Sequence, residues 1–331
     1  MPDDVTLALL PESFRAWFAG RGWQAHDHQL AMLRAAKAGR SALLIAPTGG
    51  GKTLAGFLPS LVELAEGGHD GLHTLYVSPL KALAVDIHRN LEVPVAEMNL
   101  PIRIETRTGD TPQSKRLRQR SKPPQMLLTT PESLALLLSY PDAPEIFAGL
   151  ECVVLDELHA MAGTKRGDLL ALGLARLSSL APGCRRVGLS ATVAHRDPLL
   201  AYLSAEGRAD AGDVDLVSGG EAAKPEVTIL LPRGRMPWSG HMAVFALPEV
   251  YEAVKAARTA IVFVNTRAQA EIVFQELWRL NEDNLPIGLH HGSLAVEQRR
   301  KVEAAMARGA LRAVVATSSL DLGIDWAAVD L

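Results

Sequence analysis

Two textures alternate along this chain. Short apolar runs, too brief for helices, occur at Ser41–Ile45, at residues 72–78, 102–106, 126–129 and 150–155, and at Arg185–Ser190. Helical segments separate them, including residues 26–38 and 53–66. Strands alternating with helices predict an α/β fold whose parallel sheets are wound on both faces. From about residue 204 to 235 the periodicity lapses. Glycines, acids and alanines replace apolar residues there, and Pro225, Pro232 and Pro237 add punctuation. The segment reads as a connector with one short strand around residues 227–231. A second alternating series then runs helix 248–257, strand 260–264, helix 267–281, strand 286–289, helix 295–307 and strand 312–316. The expected organisation is a first domain over 1–204, a connector over 205–240 and a second domain over 241–331. No fixed-period repeat or low-complexity tract interrupts it.

The sharpest chemical signal comes directly after the first strand. Ala46-Pro47-Thr48-Gly49-Gly50-Gly51-Lys52-Thr53 lies between a buried strand and a helix, the setting of a phosphate-binding loop. Gly49, Gly50 and Gly51 let the backbone turn its N–H groups inward, beside Thr48, and the next helix aims its positive end at the same point. Lys52 is placed to reach the outer phosphates of ATP, and Thr53 to set its hydroxyl on Mg²⁺. Ala46 stands where the general pattern has glycine. The loop alone leaves kinases, transporters and motors open.

A second signal narrows that choice. The run at 150–155 ends in Asp156-Glu157-Leu158-His159, adjacent carboxylates at the C-terminal end of a parallel strand. Side-by-side like charges are unfavourable unless a cation sits between them. Asp156 is therefore expected to help hold Mg²⁺, and Glu157 to polarise the water that attacks the γ-phosphate.

Composition restricts the setting more than the function. The 331 residues are 48% hydrophobic and 21% charged, enough for two ordinary cores. The net charge of −3 supplies no global field for nucleic acid, so any such surface is local. Cys152 and Cys184 lack metal-ligand spacing and read as small core residues of a reducing compartment. The acidic N-terminus and the absence of a membrane-length apolar run point to the cytoplasm and to no membrane association.

Together the glycine loop, Asp-Glu-Leu-His and Ser190-Ala191-Thr192 resemble superfamily 2 DExH-box helicases. Residues 78–83 resemble that family's motif Ia, 130–132 motif Ib, 263–267 motif IV and 316–325 motif V, all in order. Arg-Gly-Trp at 21–23, His-Gln at 28–29, Arg-Thr-Gly-Asp-Thr at 107–111 and Gly-Thr-Lys-Arg-Gly-Asp at 163–168 are similar to the large helicase-related (Lhr) group, and within it to the bacterial ligase-associated DNA-repair branch.

The resemblance implies two RecA-like P-loop NTPase domains in tandem and an ATP-dependent helicase or translocase, moving 3′ to 5′ on single-stranded DNA in repair, with ATP and Mg²⁺ as cofactors and a ligase among its partners. It implies that Gln29 reads the adenine edge with Trp23 nearby. It implies further that Gly323 and Asp325 would touch ATP from the second domain, and that His159, Ser190 and Thr192 would couple hydrolysis to strand binding. Pro79, Lys81, Arg107, Gly109, Thr130, Thr266, Arg267 and Thr317 fall just after strands, where hydroxyls, amides and basic groups would read a phosphate backbone without regard to sequence. Such contacts do not distinguish sugars, so an RNA or RNA–DNA hybrid substrate stays open.

Two clusters carry weaker signals. The basic run at 115–122 reads either as a solvated helix face or as a phosphate contact, and His290-His291-Gly292-Ser293 offers too few ligands for a metal. The family's arginine-rich motif VI does not occur before Leu331, and residues 326–331 read as the start of the strand that should precede it. A truncated second domain is thus expected, in which the chain binds Mg-ATP but turns it over feebly, since such an arginine contributes about 10³–10⁵ in rate. The alternative for this chain alone is a non-catalytic ATP-dependent nucleic-acid binder.

Overall fold

The computed structural model describes residues 9–47, 50–191, 193, 195–208, 212–220, 226–232, 244–317 and 329–331. It divides into two units, Met1–Ala222 and Ala223–Leu331.

In the first unit α1 (Glu12–Gly20) and α2 (Asp27–Lys37) precede β1 (Ser41–Ile45). At the start of α2 a reciprocal cap joins Gln29 and His26, whose backbone N–H donates to Gln29 Oε1 at 2.9 Å. Next come α3 (Lys52–Ala65), β2 (Thr74–Val77), α4 (Lys81–Glu97), β3 (Ile104–Arg107), α5 (Gln113–Ser121) and β4 (Met126–Thr129). The unit continues through α6 (Pro131–Leu138), α7 (Ala143–Phe147), β5 (Cys152–Leu155), α8 (Leu158–Met161), α9 (Lys165–Leu180), β6 (Arg185–Ser190), α10 (Asp197–Leu203) and β7 (Val214–Ser218).

The seven strands form one sheet in the order β3-β4-β2-β5-β6-β1-β7, every pair parallel. Their side chains alternate between two cores. Leu44, Tyr76, Leu128, Val154 and Leu189 enter one apolar cluster, and Leu43, Leu75, Leu127, Val153 and Leu155 the other. Both faces are covered by helices, which is why the strands read as continuous apolar runs. The order also sets β6 between β5 and β1, so three consecutive C-terminal strand ends lie side by side, the usual address of a ligand site in such sheets.

In the second unit a 3₁₀ turn at Val244–Ala246 leads into α11 (Leu247–Ala256), followed by β8 (Ala260–Phe263), α12 (Arg267–Leu280), β9 (Ile287–His290), α13 (Val296–Ala307) and β10 (Ala313–Ala316). The strands pair in parallel as β8-β10-β9. Residues 330 and 331 hydrogen-bond the other edge of β8, Asp330 N donating to Thr259 O at 3.1 Å and Leu331 O accepting from Ile261 N at 2.8 Å.

The segment expected to be a connector from residue 205 is corrected by β7. Residues 41–45 of β1 pair with 214–218, so the first unit extends to Ala222. An edge strand needs few apolar residues, and Asp215 beside β1 is engaged by Arg40 Nε at 2.7 Å, so its acids mimic a linker. The short strand expected around 227–231 is not formed; residues 226–232 carry no regular secondary structure, and Val227, Ile229 and Leu231 are exposed.

Candidate functional site

β1 ends at the glycine loop, β6 at Ser190-Ala191 and β5 at Asp156-Glu157. Neighbouring register fixes this convergence: Ile45 pairs with Ser190, and Ala46 N donates to Ser190 O at 3.1 Å. Thr48 and Gly49 lie outside the described residues. Gly51 adopts φ 72°, a left-handed backbone that favours glycine, and an added Cβ would also crowd the tip of the Gln29 side chain, whose Nε2 lies 2.9 Å away. Gln29 is buried and its Nε2 faces Gly51 O at 3.4 Å, which ties the N-terminus of α2 to the loop. Thr53 follows Lys52 in the first turn of α3. Trp23 is half exposed, edge-on to Trp17 at 5.8 Å and under the Arg21 guanidinium at 4.9 Å.

Asp156 and Glu157 are both buried. Glu157 takes a left-handed backbone, φ 47°, a conformation that costs a side-chain-bearing residue about 1–2 kcal/mol and is typical of functional turns. Its N–H donates to Asp156 Oδ1 at 2.8 Å, and the Tyr76 hydroxyl donates to Asp156 Oδ2 at 2.5 Å. Burial, then the Glu157 charge, push the Asp156 carboxyl up to about 6. Lys52 Nζ lies 3.3 Å from Glu157 Oε1, and both side chains are only 8% exposed. The buried Asp156 carboxylate, a hard oxygen donor pushed towards protonation, is a ligand that a magnesium ion suits.

On the far side of Glu157 stands His159. Its Nδ1 accepts the Ala191 N–H at 3.4 Å and lies 3.2 Å from Ser190 Oγ. That network assigns the ring proton to Nε2, which points at Glu157 Oε2 3.5 Å away. Lys52, Glu157, His159 and Ser190 thus form one connected line across three strand ends. Thr192 lies outside the described residues, as do Gly323 and Asp325.

The residues expected to read a phosphate backbone fall into two groups. Around the first sheet, Pro79 O accepts from Arg166 Nη1 at 2.6 Å, and Arg166 also clamps Glu132 at 2.5 and 3.1 Å. Gly109 O accepts from Arg116 at 2.6 Å. Thr130, buried, hydrogen-bonds Ser133 at 3.2 Å. Arg107 is turned inward: its guanidinium is buried, donates to Arg116 O at 3.0 Å and lies 5.9 Å from the Tyr140 ring, and burial lowers its pKa. Lys81 begins α4.

In the second unit Thr266 caps α12 by accepting from Gln269 N at 3.2 Å, and Arg267 donates to Ser293 at 2.6 Å. Thr317, buried at the end of β10, donates its N–H to His290 O at 3.3 Å. His290 and His291 face Glu303 at 3.0 Å and Glu271 at 3.3 Å.

The basic run at 115–122 is largely spent on its own domain. Arg118 pairs with Glu105 at 2.9 Å, Arg120 forks onto Asp142 at 2.9 Å through both nitrogens, and Arg116 holds the carbonyls of Thr108 and Gly109. Sequence reasoning passed over Tyr76 and the Arg166–Glu132 clamp. Tyr76 reaches Asp156 only through the pairing of β2 with β5, which no local pattern encodes. Arg166, by contrast, stood inside the singled-out run 163–168.

Comparison with known proteins agrees with this arrangement. Residues 26–199 match the DEAD/DEAH box helicase family and residues 244–331 the helicase conserved C-terminal domain. The chain is 35% identical to the Lhr helicase/uracil glycosylase of Escherichia coli K12 over 98% of its own length and 25% of that protein's. It is 35% identical to the ATP-dependent helicase Lhr-Core protein 2 of Thermococcus barophilus, covering 99% of this chain and 40% of the relative. The structure of Mycobacterium smegmatis helicase Lhr bound to ssDNA and AMP-PNP superposes with a TM-score of 0.84 at 37% identity, over 98% of this chain and 44% of that one. The chain therefore spans less than half the length of these relatives. The identity to these relatives, the two matched domain families and the parallel α/β fold converge, and the chain belongs to the Lhr family of DEAD/DEAH box helicases.

Proposed function

We propose that this chain is the ATP-driven portion of an Lhr-type helicase that translocates 3′ to 5′ on single-stranded DNA in DNA repair, in a pathway shared with a ligase. The observation that carries the reading is the line Lys52–Glu157–His159–Ser190, which connects the phosphate loop, the carboxylate pair and the end of β6. A relative seen with ssDNA and a nucleotide analogue supports the choice of ligands.

On this reading Lys52 exchanges Glu157 for the terminal phosphates, which frees the carboxylate to orient water and take its proton. Thr53 and Asp156 would hold Mg²⁺, which neutralises phosphate charge when bound. Tyr76 keeps one Asp156 oxygen engaged, which opposes the effect of burial. His159 senses the state of Glu157 and transmits it to Ser190-Ala191, altering the grip on the strand.

Strand-stimulated ATP turnover of the complete protein tests this, with single-stranded DNA, RNA and hybrid duplexes compared. Stimulation strongest with single-stranded DNA is expected. Absence of stimulation by any strand contradicts the motor, and stimulation by RNA alone transfers it to the other sugar.

A further inference from the structure

The opposite end of the first sheet, away from Asp156 and Glu157, gathers two histidines and two carboxylates. His73 directly precedes β2 and Glu151 directly precedes β5. Backbone pairing holds them adjacent, since Glu151 N and Cys152 N both donate to His73 O at 3.0 and 3.1 Å. His69 comes from the loop between α3 and β2, and its ring meets that of His73 edge-on at 4.4 Å. His69 Nε2 lies 2.8 Å from Glu151 Oε1, and His73 Nε2 lies 3.7 Å from Glu151 Oε2 and 3.5 Å from Glu63 Oε2. One ligand atom from each of His69, His73 and Glu151 falls within 4.8 Å of the other two.

His73 gives this cluster its meaning. Its side chain is fully buried, and its Nε2 has no hydrogen-bond partner. Nδ1 lies 2.8 Å from the hydroxyl of Thr74, itself buried. In the tautomer whose Nδ1–H donates to Thr74, Nε2 turns a bare lone pair towards two carboxylates, an arrangement that a bound cation between them would satisfy.

We propose that His69, His73 and Glu151 form a binding site for a divalent transition-metal cation, with zinc the best fit. Two imidazoles and a carboxylate suit zinc, whose bonds of about 2.0–2.2 Å space tetrahedral ligands about 3.3 Å apart. The contacts of 2.8 and 3.7 Å bracket that value, so rotamer adjustment of Glu151 closes the site. Thr74 orients the imidazole from behind, as ligating histidines generally require. Glu63 is gripped by both terminal nitrogens of Arg185 at 2.6 Å and contributes charge at the rim instead of a bond. His69 and Glu151 are partly exposed, so water can supply the fourth ligand. A bound ion pins the α3–β2 loop to the start of β2 and β5, clamping the sheet at the end opposite the phosphate loop.

The test strips the chain with a chelator and titrates ZnCl₂. One zinc per chain retained through desalting is expected, with a rise in Tm that the chelator reverses, and Co²⁺ should give the strong visible absorption of a tetrahedral site. His69→Gln and Glu151→Gln, both partly exposed side chains whose loss does not threaten folding, should lower zinc affinity at least tenfold. Asp70→Asn, in the same loop, should not. No stoichiometric zinc, or unchanged affinity in both variants, overturns the proposal and means that water bridges the pair.

Discussion

Lys52 Nζ stands 3.3 Å from Glu157 Oε1 with both side chains almost fully buried, so the lysine of the phosphate loop is paired with the expected catalytic base. Removing one member of a buried pair leaves the other charge uncompensated and costs about 3–5 kcal/mol. Lys52→Met and Glu157→Gln should each lower the urea midpoint of nucleotide-free protein. The double variant should recover most of the loss while remaining unable to bind nucleotide. Strictly additive losses would show that the contact carries no energy.

Glu157→Gln alone should separate binding from chemistry. The amide cannot accept a proton, so turnover in the complete protein should fall by about 10²–10⁴ while nucleotide binding persists. Steady-state ATPase and analogue titration measured together decide this; normal turnover would remove Glu157 from the role of base.

Asp156 gives a pH dependence whose sign is fixed. Its carboxyl is raised from 3.8 to about 6, so between these values the folded state keeps a proton that the unfolded state has lost, and stability falls as pH rises. Above about 6 the full cost is present, about 3 kcal/mol. Asp156→Asn should therefore stabilise magnesium-free, nucleotide-free protein at pH 7.5, with a gain that shrinks towards pH 4. Urea midpoints at the two pH values check it; a gain that grows on acidification would reverse the assignment.

How far the site was legible in the sequence depends on whether its parts are local. The glycine loop, Lys52 and the Asp156-Glu157 pair are consecutive residues after apolar runs, so pattern alone located them. Tyr76 against Asp156 requires the β2–β5 register, and the His69–His73–Glu151 cluster requires the same pairing from residues about eighty apart. Arg107 is expected to read a phosphate backbone because it falls just after a strand, yet its guanidinium is buried, bonded to Arg116 O and close to the Tyr140 ring. The edge strand β7 escaped notice because it carries one buried valine, Val217, and one ion-paired acid, Asp215.

Gly167 should tolerate no side chain. A Cβ there would lie 2.2 Å from Met161 O, a backbone atom, and Gly167 N donates to the capping Thr164 hydroxyl at 3.1 Å. Gly167→Ala should cost at least about 2 kcal/mol, whereas Gly183→Ala, which meets nothing within 4 Å, should be nearly neutral. Equal thermal midpoints for the two would contradict the packing described.

His159 joins Glu157 to Ser190-Ala191 without belonging to the phosphate loop. His159→Ala should leave nucleotide affinity within about twofold but reduce strand stimulation of turnover at least about tenfold, about 1.4 kcal/mol of coupling. Loss of nucleotide affinity with intact stimulation would reassign the residue to binding.

The most direct measurement is an equilibrium titration of the chain with a non-hydrolysable ATP analogue, with and without magnesium, for the unaltered chain and Lys52→Ala. Saturable, magnesium-dependent binding that Lys52→Ala abolishes is the predicted result. No affinity in the unaltered chain, or equal affinity in the variant, would contradict the claim that this loop clasps a triphosphate.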